Sequence, residues 1–337
     1  MRHALVLSGG AMRGAFQAGA VAEVLQQGFA PDAIYGVSVG SLNGAFLADR
    51  AGRAARRDGT PDWPRIGDEL ETFWRTRVTS PAAVGKVRTA LTLARDLVTG
   101  DFQGLIDSSN LRALLRSELK AENLRNSPAR LSVGVVNAAT GEYCDVGAES
   151  PHIVDYVFAS ASIPLLMPIP RIAGQPVLDG GLRQVTPLKA ALANGARDIV
   201  CVVCQAPRVS HAASAWRTPV QLLGRLTDII SNEMVNREIA WARGVVDRGA
   251  RRQRRASRCG CDGRRGMSLT VVRPSVDPDI DMCAFTSRQI AELLAQGREA
   301  ARQTRRVSST PEAARRRRGR RPQYASDSGS TALAGAR

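Results

Sequence analysis

Short, unbroken apolar runs alternate with stretches of helical periodicity over the first fifty positions of the chain. His3-Ala-Leu-Val-Leu-Ser8 is apolar through its middle and ends in Gly9-Gly10, the pattern of a buried strand closed by a turn. From about Arg13 to Gln27, residues Phe16, Ala20, Val24 and Leu25 recur at helical spacing. Ala33-Ile-Tyr-Gly-Val37 reads as a second buried strand, and a second helix starts directly after Ser38 and runs through Leu47. Strand–helix–strand–helix in so short a span predicts an α/β fold, a parallel sheet covered by helices on both faces.

The remaining pattern extends that plan. Residues 50–127 mix polar and apolar positions at helical spacing and predict a helical insertion or cap. Ala129 to Asn137 reads as a buried strand, Glu142 to Val146 as its hairpin partner, and Val154 to Ser160 as a short helix. Pro176 to Leu178 is a strand leading into Asp179-Gly-Gly181, and Asp198 to Gln205 is a further core strand. A long amphipathic helix is expected over Trp216 to Arg243, a loose Arg/Gly-rich loop over Arg248 to Gly266, a last strand from Met267 and a last helix over Thr286 to Arg302. One domain over residues 1–303 accounts for all of this. Residues 304–337 turn to Arg, Ser, Gly and Ala, too few apolar groups to offset the entropy of ordering, and are expected to be a disordered tail.

Composition changes this picture little, and charge changes it in one place. Hydrophobic residues at 44% and charged residues at 23% fit a folded globular chain. The formal net charge of +16 divides into +13 over residues 248–337 and +3 over residues 1–247. The near-neutral body, with no recognised nucleic-acid motif, argues against a specific nucleic-acid partner. The basic tail reads first as a solvated charge run, and second as a segment attracted to anionic membrane. Ala4 to Leu7 is too short for the apolar core of a secretory signal, and no run approaches the roughly 18 residues of a spanning helix. A cytoplasmic protein with at most peripheral membrane contact is expected. Cys201 and Cys204 lie three apart on a predicted strand, on opposite faces, and are read as structural rather than metal or redox ligands. Cys259-Gly-Cys261 has no matching second pair and is weak evidence for zinc.

Three places carry candidate chemistry. Gly36-Val-Ser38-Val-Gly40 matches G-x-S-x-G, and its serine falls where a strand gives way to a helix, as a nucleophile elbow requires. The glycines permit the tight turn, and the helix that follows aims its positive end at a developing oxyanion. Gly9-Gly10-Ala11-Met12-Arg13-Gly14 also joins a strand to a helix, with small residues that leave backbone N–H groups free for an anion. A dinucleotide loop would need glycine at Ala11 and an acid at the end of the second strand, and neither is present. Asp179-Gly180-Gly181 sets a carboxylate at a strand end, placed to take the Ser38 proton directly, though an ordinary aspartate is a weak base and needs its environment tuned. The histidines are His3, His152 and His211. Ser38, Asp179 and His211 follow the chain order of a Ser-His-Asp α/β-hydrolase acting on soluble esters, but in that fold several strands precede the elbow and here one does. A basic membrane- or nucleic-acid-associated binding protein is the remaining alternative.

Taken together, Ser8-Gly-Gly-Ala-Met-Arg-Gly-Ala15, Gly36-Val-Ser-Val-Gly40 and Asp179-Gly-Gly181 resemble the patatin-like phospholipase family in order and spacing. Ala159-Ser-Ala-Ser-Ile-Pro164 and Pro187-Leu188 resemble it too, and the likeness covers residues 4–205 best. It implies a three-layer α/β/α fold with a mainly parallel central sheet and a Ser–Asp dyad that cleaves acyl esters of lipids. Carried over, Ser38 is the nucleophile, Asp179 the base, and Gly9, Gly10, Ala11, Met12, Arg13 and Gly14 form the oxyanion loop. Phospholipid or another lipid ester is the implied partner, and no cofactor or metal is implied. Two departures stand out: Ala11, where the family has glycine and which should serve while its φ stays negative, and Gln184-Val-Thr186, where many members carry asparagine.

Overall fold

The computed structural model describes residues 2–209, 219–258, 266–278, 280–281 and 284–304. Along the chain, β1 (His3–Leu7) leads through one 3-10 turn into α1 (Gly14–Gln26), and β2 (Ala33–Val37) leads into α2 (Val39–Asp58). Then come α3 (Trp63–Arg77), α4 (Pro81–Val84), β3 (Lys86–Val87), α5 (Ala90–Thr99), β4 (Ile106–Asp107), α6 (Ser109–Glu118) and α7 (Ala121–Arg125). β5 (Arg130–Asn137), β6 (Tyr143–Gly147), α8 (Ile153–Ser160), β7 (Arg171–Ile172) and β8 (Gln175–Asp179) follow. The chain ends with α9 (Leu188–Ala193), β9 (Asp198–Val202), α10 (Pro219–Arg258), β10 (Ser268–Val272) and α11 (Ser287–Gln303).

Among the described residues the main sheet has eight strands in the order β10-β9-β1-β2-β5-β8-β7, with β6 also on β5. From β10 to β5 all pairs are parallel, and β6, β8 and β7 pair antiparallel. Alternation along each central strand divides the core in two. Leu5, Leu7, Ile34, Val200 and Val202 pack on one face with α1, α2, α3 and α11. Ala4, Val6, Tyr35, Ile199 and Cys201 pack on the other with α9 and α10. Helix–sheet–helix layering is therefore present, and each fully buried aliphatic side chain contributes roughly 1.5–3 kcal/mol. Cys201 and Cys204 belong to opposite faces, although β9 ends at Val202 and Cys204 lies beyond it rather than on the expected strand.

The edge of β5 decides where the chain ends meet. β2 pairs with Arg130 to Gly134, ending at Val37 opposite Gly134. β8 pairs with Val135 to Asn137, with Asp179 opposite Val135. β6 occupies the other edge across both stretches. So β2 and β8 approach one another from opposite directions along a single edge. They stop at neighbouring positions, β8 at Asp179 and β2 at Val37, the residue before Ser38.

The helical stretch 50–127 is not a single insertion. α3 buries Trp63, Ile66, Leu70, Phe73 and Trp74 in the same core as α1, because its apolar positions recur on one face. Only residues from α4 through β4 stand outside the sheet layers, with β3 and β4 forming a separate two-stranded ribbon. α10 also departs from expectation: it continues through residues 248–258, where a loop was expected, since arginine and glutamine are good helix formers. His211, Cys259, Cys261, Cys283 and the tail from residue 305 lie outside the described residues.

α11 seals the outer face of α1 on two glycines. A Cβ at Gly19 would stand 2.0 Å from the Leu294 carbonyl oxygen, and one at Gly297 2.0 Å from that of Phe16. Gly19→Ala is expected to cost about 2 kcal/mol by overpacking. Gly224→Ala, on a helix position with open space around it, should gain roughly 0.5–1 kcal/mol. Urea unfolding midpoints of the two variants check both signs.

Candidate active site

Ser38 sits between β2 and α2 with φ 54° and ψ −129°, a conformation that costs a non-glycine residue about 1–3 kcal/mol and has to be held from outside. Ser160, the last residue of α8, holds it. The Ser38 amide donates to Ser160 Oγ at 2.8 Å, and that hydroxyl donates to the Gly134 carbonyl at 2.8 Å. The Ser41 hydroxyl donates to the Ser38 carbonyl at 2.6 Å. The two motif glycines serve close approach. A Cβ at Gly36 would lie 2.4 Å from the Gly40 oxygen, and one at Gly40 2.3 Å from the Leu7 oxygen.

Asp179 faces Ser38 and accepts a hydrogen bond from its hydroxyl. Its other contact is the Gly181 amide at 2.7 Å. Burial pushes its pKa up to about 7, and these two hydrogen bonds oppose that rise without cancelling it. Gly180 lets the turn lie against β5, since a Cβ there would be 2.4 Å from the Gly134 oxygen.

The glycine loop divides its backbone groups. The Gly9 amide is committed to the Val185 carbonyl at 3.0 Å, and the Arg13 amide to the Gly10 carbonyl at 3.0 Å. The amides of Gly10 and Ala11 have no protein acceptor among the described residues. Gly10 has no space for a side chain, because its Cβ would be 2.3 Å from that of Cys204. Gly14 is similarly closed by Val39 and Trp74. Ala11 does not meet the condition of a negative φ: its φ is +49°, so it occupies a glycine conformation at a cost of about 1–2 kcal/mol. The Arg13 side chain does not enter the site. It makes a bidentate ion pair with Asp228 of α10 at 2.7 and 3.1 Å and donates to the Pro278 carbonyl at 3.1 Å.

Several supporting residues escaped the sequence. Gln17, fully buried on α1, donates to the carbonyls of Ser8 and Val202, both at 3.1 Å. Asn43 of α2 donates to Gln17 Oε1 at 3.0 Å and to the Gly14 carbonyl at 3.1 Å, and accepts from Trp74 Nε1 at 2.8 Å. Glu238 of α10 accepts from the Val185 and Thr186 amides and the Thr186 hydroxyl, so Gln184-Val-Thr186 is fastened to the helix layer. Polar residues inside otherwise apolar helical faces were the available signal for Gln17 and Asn43.

The placed histidines lie elsewhere. His3 begins β1, near Phe29 and Asp198, and His152 is exposed ahead of α8. Among the described residues no group of three or more His, Cys, Asp or Glu could hold a metal ion. An apolar cavity of about 50 Å³ opens beside Ser38. Its walls come from Ala11 and Met12, from Val39 and Leu42 of α2, from Phe73 and Trp74 of α3, and from Val84, Leu111, Leu114, Ile163 and Met167. A wider cleft of about 270 Å³ between α2, α3 and α6 does not include Ser38, and its Arg50, Arg53 and Arg77 pair with Glu69 and Glu118.

The fold and this end of the sheet define an α/β protein in which a strained strand–helix serine meets a buried carboxylate beside a glycine loop. The family model for patatin-like phospholipase matches residues 5–192, more than half of the chain, and the chain belongs to that family. None of the curated proteins matches it. Among solved structures it is similar to VipD from Legionella pneumophila, 12% identical over 90% of this chain and 66% of that one, with a TM-score of 0.35. It is also similar to the type III effector protein ExoU, 12% identical over 71% of this chain and 53% of that one, with a TM-score of 0.23. The chain thus spans less than two thirds of the length of either.

Ser160→Ala leaves a buried amide and a buried carbonyl unpaired and is expected to cost about 1–3 kcal/mol in urea unfolding. Ala11→Gly trades the relief of about 1–2 kcal/mol of strain against roughly 0.5–1 kcal/mol of extra unfolded-state entropy. Its unfolding midpoint should therefore be equal to or slightly above that of the wild type.

Proposed function

We propose that the chain is a serine acyl hydrolase that cleaves carboxylic ester bonds of lipids through Ser38 and Asp179. The observation that carries this reading is the direct contact of the Ser38 hydroxyl with a carboxyl group whose burial raises its pKa to about 7, at the wall of an apolar cavity. A base near neutrality is strong enough to take a serine proton and weak enough to return it.

In the first step Ser38 Oγ bonds to the ester carbonyl carbon while its proton passes to Asp179. The carbonyl oxygen becomes an oxyanion, for which the Gly10 and Ala11 amides and the first turn of α2 are the available donors. Collapse breaks the ester C–O bond, and the Asp179 proton leaves with the alcohol. Water then attacks the acyl-enzyme with Asp179 again as base, releasing the fatty acid and restoring Ser38. Phospholipid or another lipid ester suits the apolar wall, and besides water the mechanism uses side chains and backbone amides of the chain.

The Ser-His-Asp alternative places an imidazole between serine and acid. Here Asp179 already contacts Ser38, which supports the two-residue arrangement; His211, the imidazole of that alternative, lies outside the described residues, and His3 and His152 stand elsewhere.

Because the carboxylate form is the base, kcat/KM toward an ester should rise with pH through about 7 and fall about tenfold per unit below it. Ser38→Ala and Asp179→Asn should each lower fatty-acid release at least about 10³-fold. The same burial makes an opposite prediction for stability. Asp179 binds its proton more tightly folded than unfolded, so its contribution weakens as pH rises from about 4 to about 7. Asp179→Asn should therefore be more stable than wild type at pH 8, by up to about 4 kcal/mol. Titrated hydrolysis of a p-nitrophenyl ester and unfolding at two pH values check both signs.

A further inference from the structure

The module between α4 and β4 leaves a large part of its aliphatic surface exposed. α5 turns its one fully enclosed polar group inward: Asp96, 6% exposed, takes both guanidinium nitrogens of Arg88 and the Gln103 amide. Two of its aliphatic side chains point outward, Leu91 81% and Val98 88% exposed, seven residues apart and hence on one face, while Leu93 on the Asp96 side is half-buried. Exposed Arg95 lies on that same face. Val87 just before the helix and Phe102 just after it are exposed as well. Leu165 joins them across the ribbon, since its carbonyl accepts the Leu105 amide at 3.2 Å. A helix that faced only water would bury its aliphatic face and expose its acid.

We propose that this module is the membrane-docking face of the protein, seating Val87, Leu91, Val98, Phe102 and Leu165 in the surface of an anionic bilayer. Two observations select a lipid surface over another occupant. The patch adjoins the cavity beside Ser38: Val84, three residues before Val87, and Met167, two after Leu165, both line that cavity, and the Leu105 and Ile106 amides donate to the Leu165 and Leu166 carbonyls. Lys86 and Arg95 are exposed within the patch and make no ion pair among the described residues, so they are available to lipid phosphates. Among the described residues no helix is long and apolar enough to cross a membrane, and a shallow seat of this kind needs none. Docking here would set the cavity mouth against the lipid, so that an acyl chain passes from bilayer to Ser38 without crossing water. This inference rests on the lipid-hydrolase reading.

The test uses the full chain with the double variant L91D/V98D, whose exposed positions leave the core untouched. Binding is read by co-sedimentation with phosphatidylcholine vesicles, with and without phosphatidylglycerol. Hydrolysis is read on vesicle-borne phospholipid and on a water-soluble short-chain p-nitrophenyl ester. Wild type should bind the phosphatidylglycerol vesicles more tightly. L91D/V98D should lose at least about tenfold in binding and in vesicle hydrolysis, while keeping short-ester hydrolysis within about twofold. K86E/R95E should weaken binding to the anionic vesicles selectively. Equal vesicle binding by wild type and L91D/V98D overturns the proposal, as does a change of oligomeric state in L91D/V98D with vesicle binding unaltered. Ser38→Ala separates the two readings: it should bind vesicles like wild type. Vesicle binding by wild type with no ester cleaved by any protein would overturn the hydrolase reading and leave the docking face standing.

Discussion

Everything at the candidate site depends on two strands meeting head-on along one edge of β5. β2 stops at Val37 opposite Gly134 and β8 stops at Asp179 opposite Val135, so Ser38, the residue after β2, and Asp179 are forced together. The meeting is possible only because backbone approaches backbone without side chains between. Gly36 against Gly40, Gly40 against Leu7 and Gly180 against Gly134 are all separations that a Cβ would close below 2.5 Å. Register and glycine placement together bring the serine and the carboxyl group side by side with no third side chain between them.

That arrangement is energetically unfavourable in three places. Ser38 and Ala11 hold positive φ, and Asp179 is a carboxyl group buried away from charge partners. The surroundings offset these costs. Ser160 and Ser41 fix the elbow, and Gln17, Asn43 and Trp74 tie the glycine loop to α2 and α3. α10 holds both remaining loops at once, Arg13 through Asp228 and Val185-Thr186 through Glu238. Arg13 is thus a positioning residue for the loop rather than a group aimed at substrate.

Local features were legible in the sequence, and distant pairings were not. The strands around Ser38 and Asp179 showed as apolar runs, and the glycines showed where turns had to be tight. The shared edge of β5 could not be read, because register is set by contacts between segments far apart in the chain, Val37 with Gly134 and Val135 with Asp179. The Arg13–Asp228 pair spans 215 positions, and Ser160 looked like an ordinary small residue at a helix end. α3 was read as insertion because its apolar face says only that it is covered, not by what. The φ of Ala11 could not be read either: propensity favours a negative value, and the tertiary packing of the loop overrides that preference.

The central claim is that Asp179, and no other group, activates Ser38. Modification by a fluorophosphonate probe measures that activation at the serine itself, by intact mass and peptide mapping across pH. The account predicts a single adduct on Ser38, forming at a rate that climbs through about pH 7 and then levels, and that becomes slow and loses that inflection in Asp179→Asn. An adduct on a different serine, or a Ser38 adduct whose rate and pH profile are unchanged in Asp179→Asn, would contradict it.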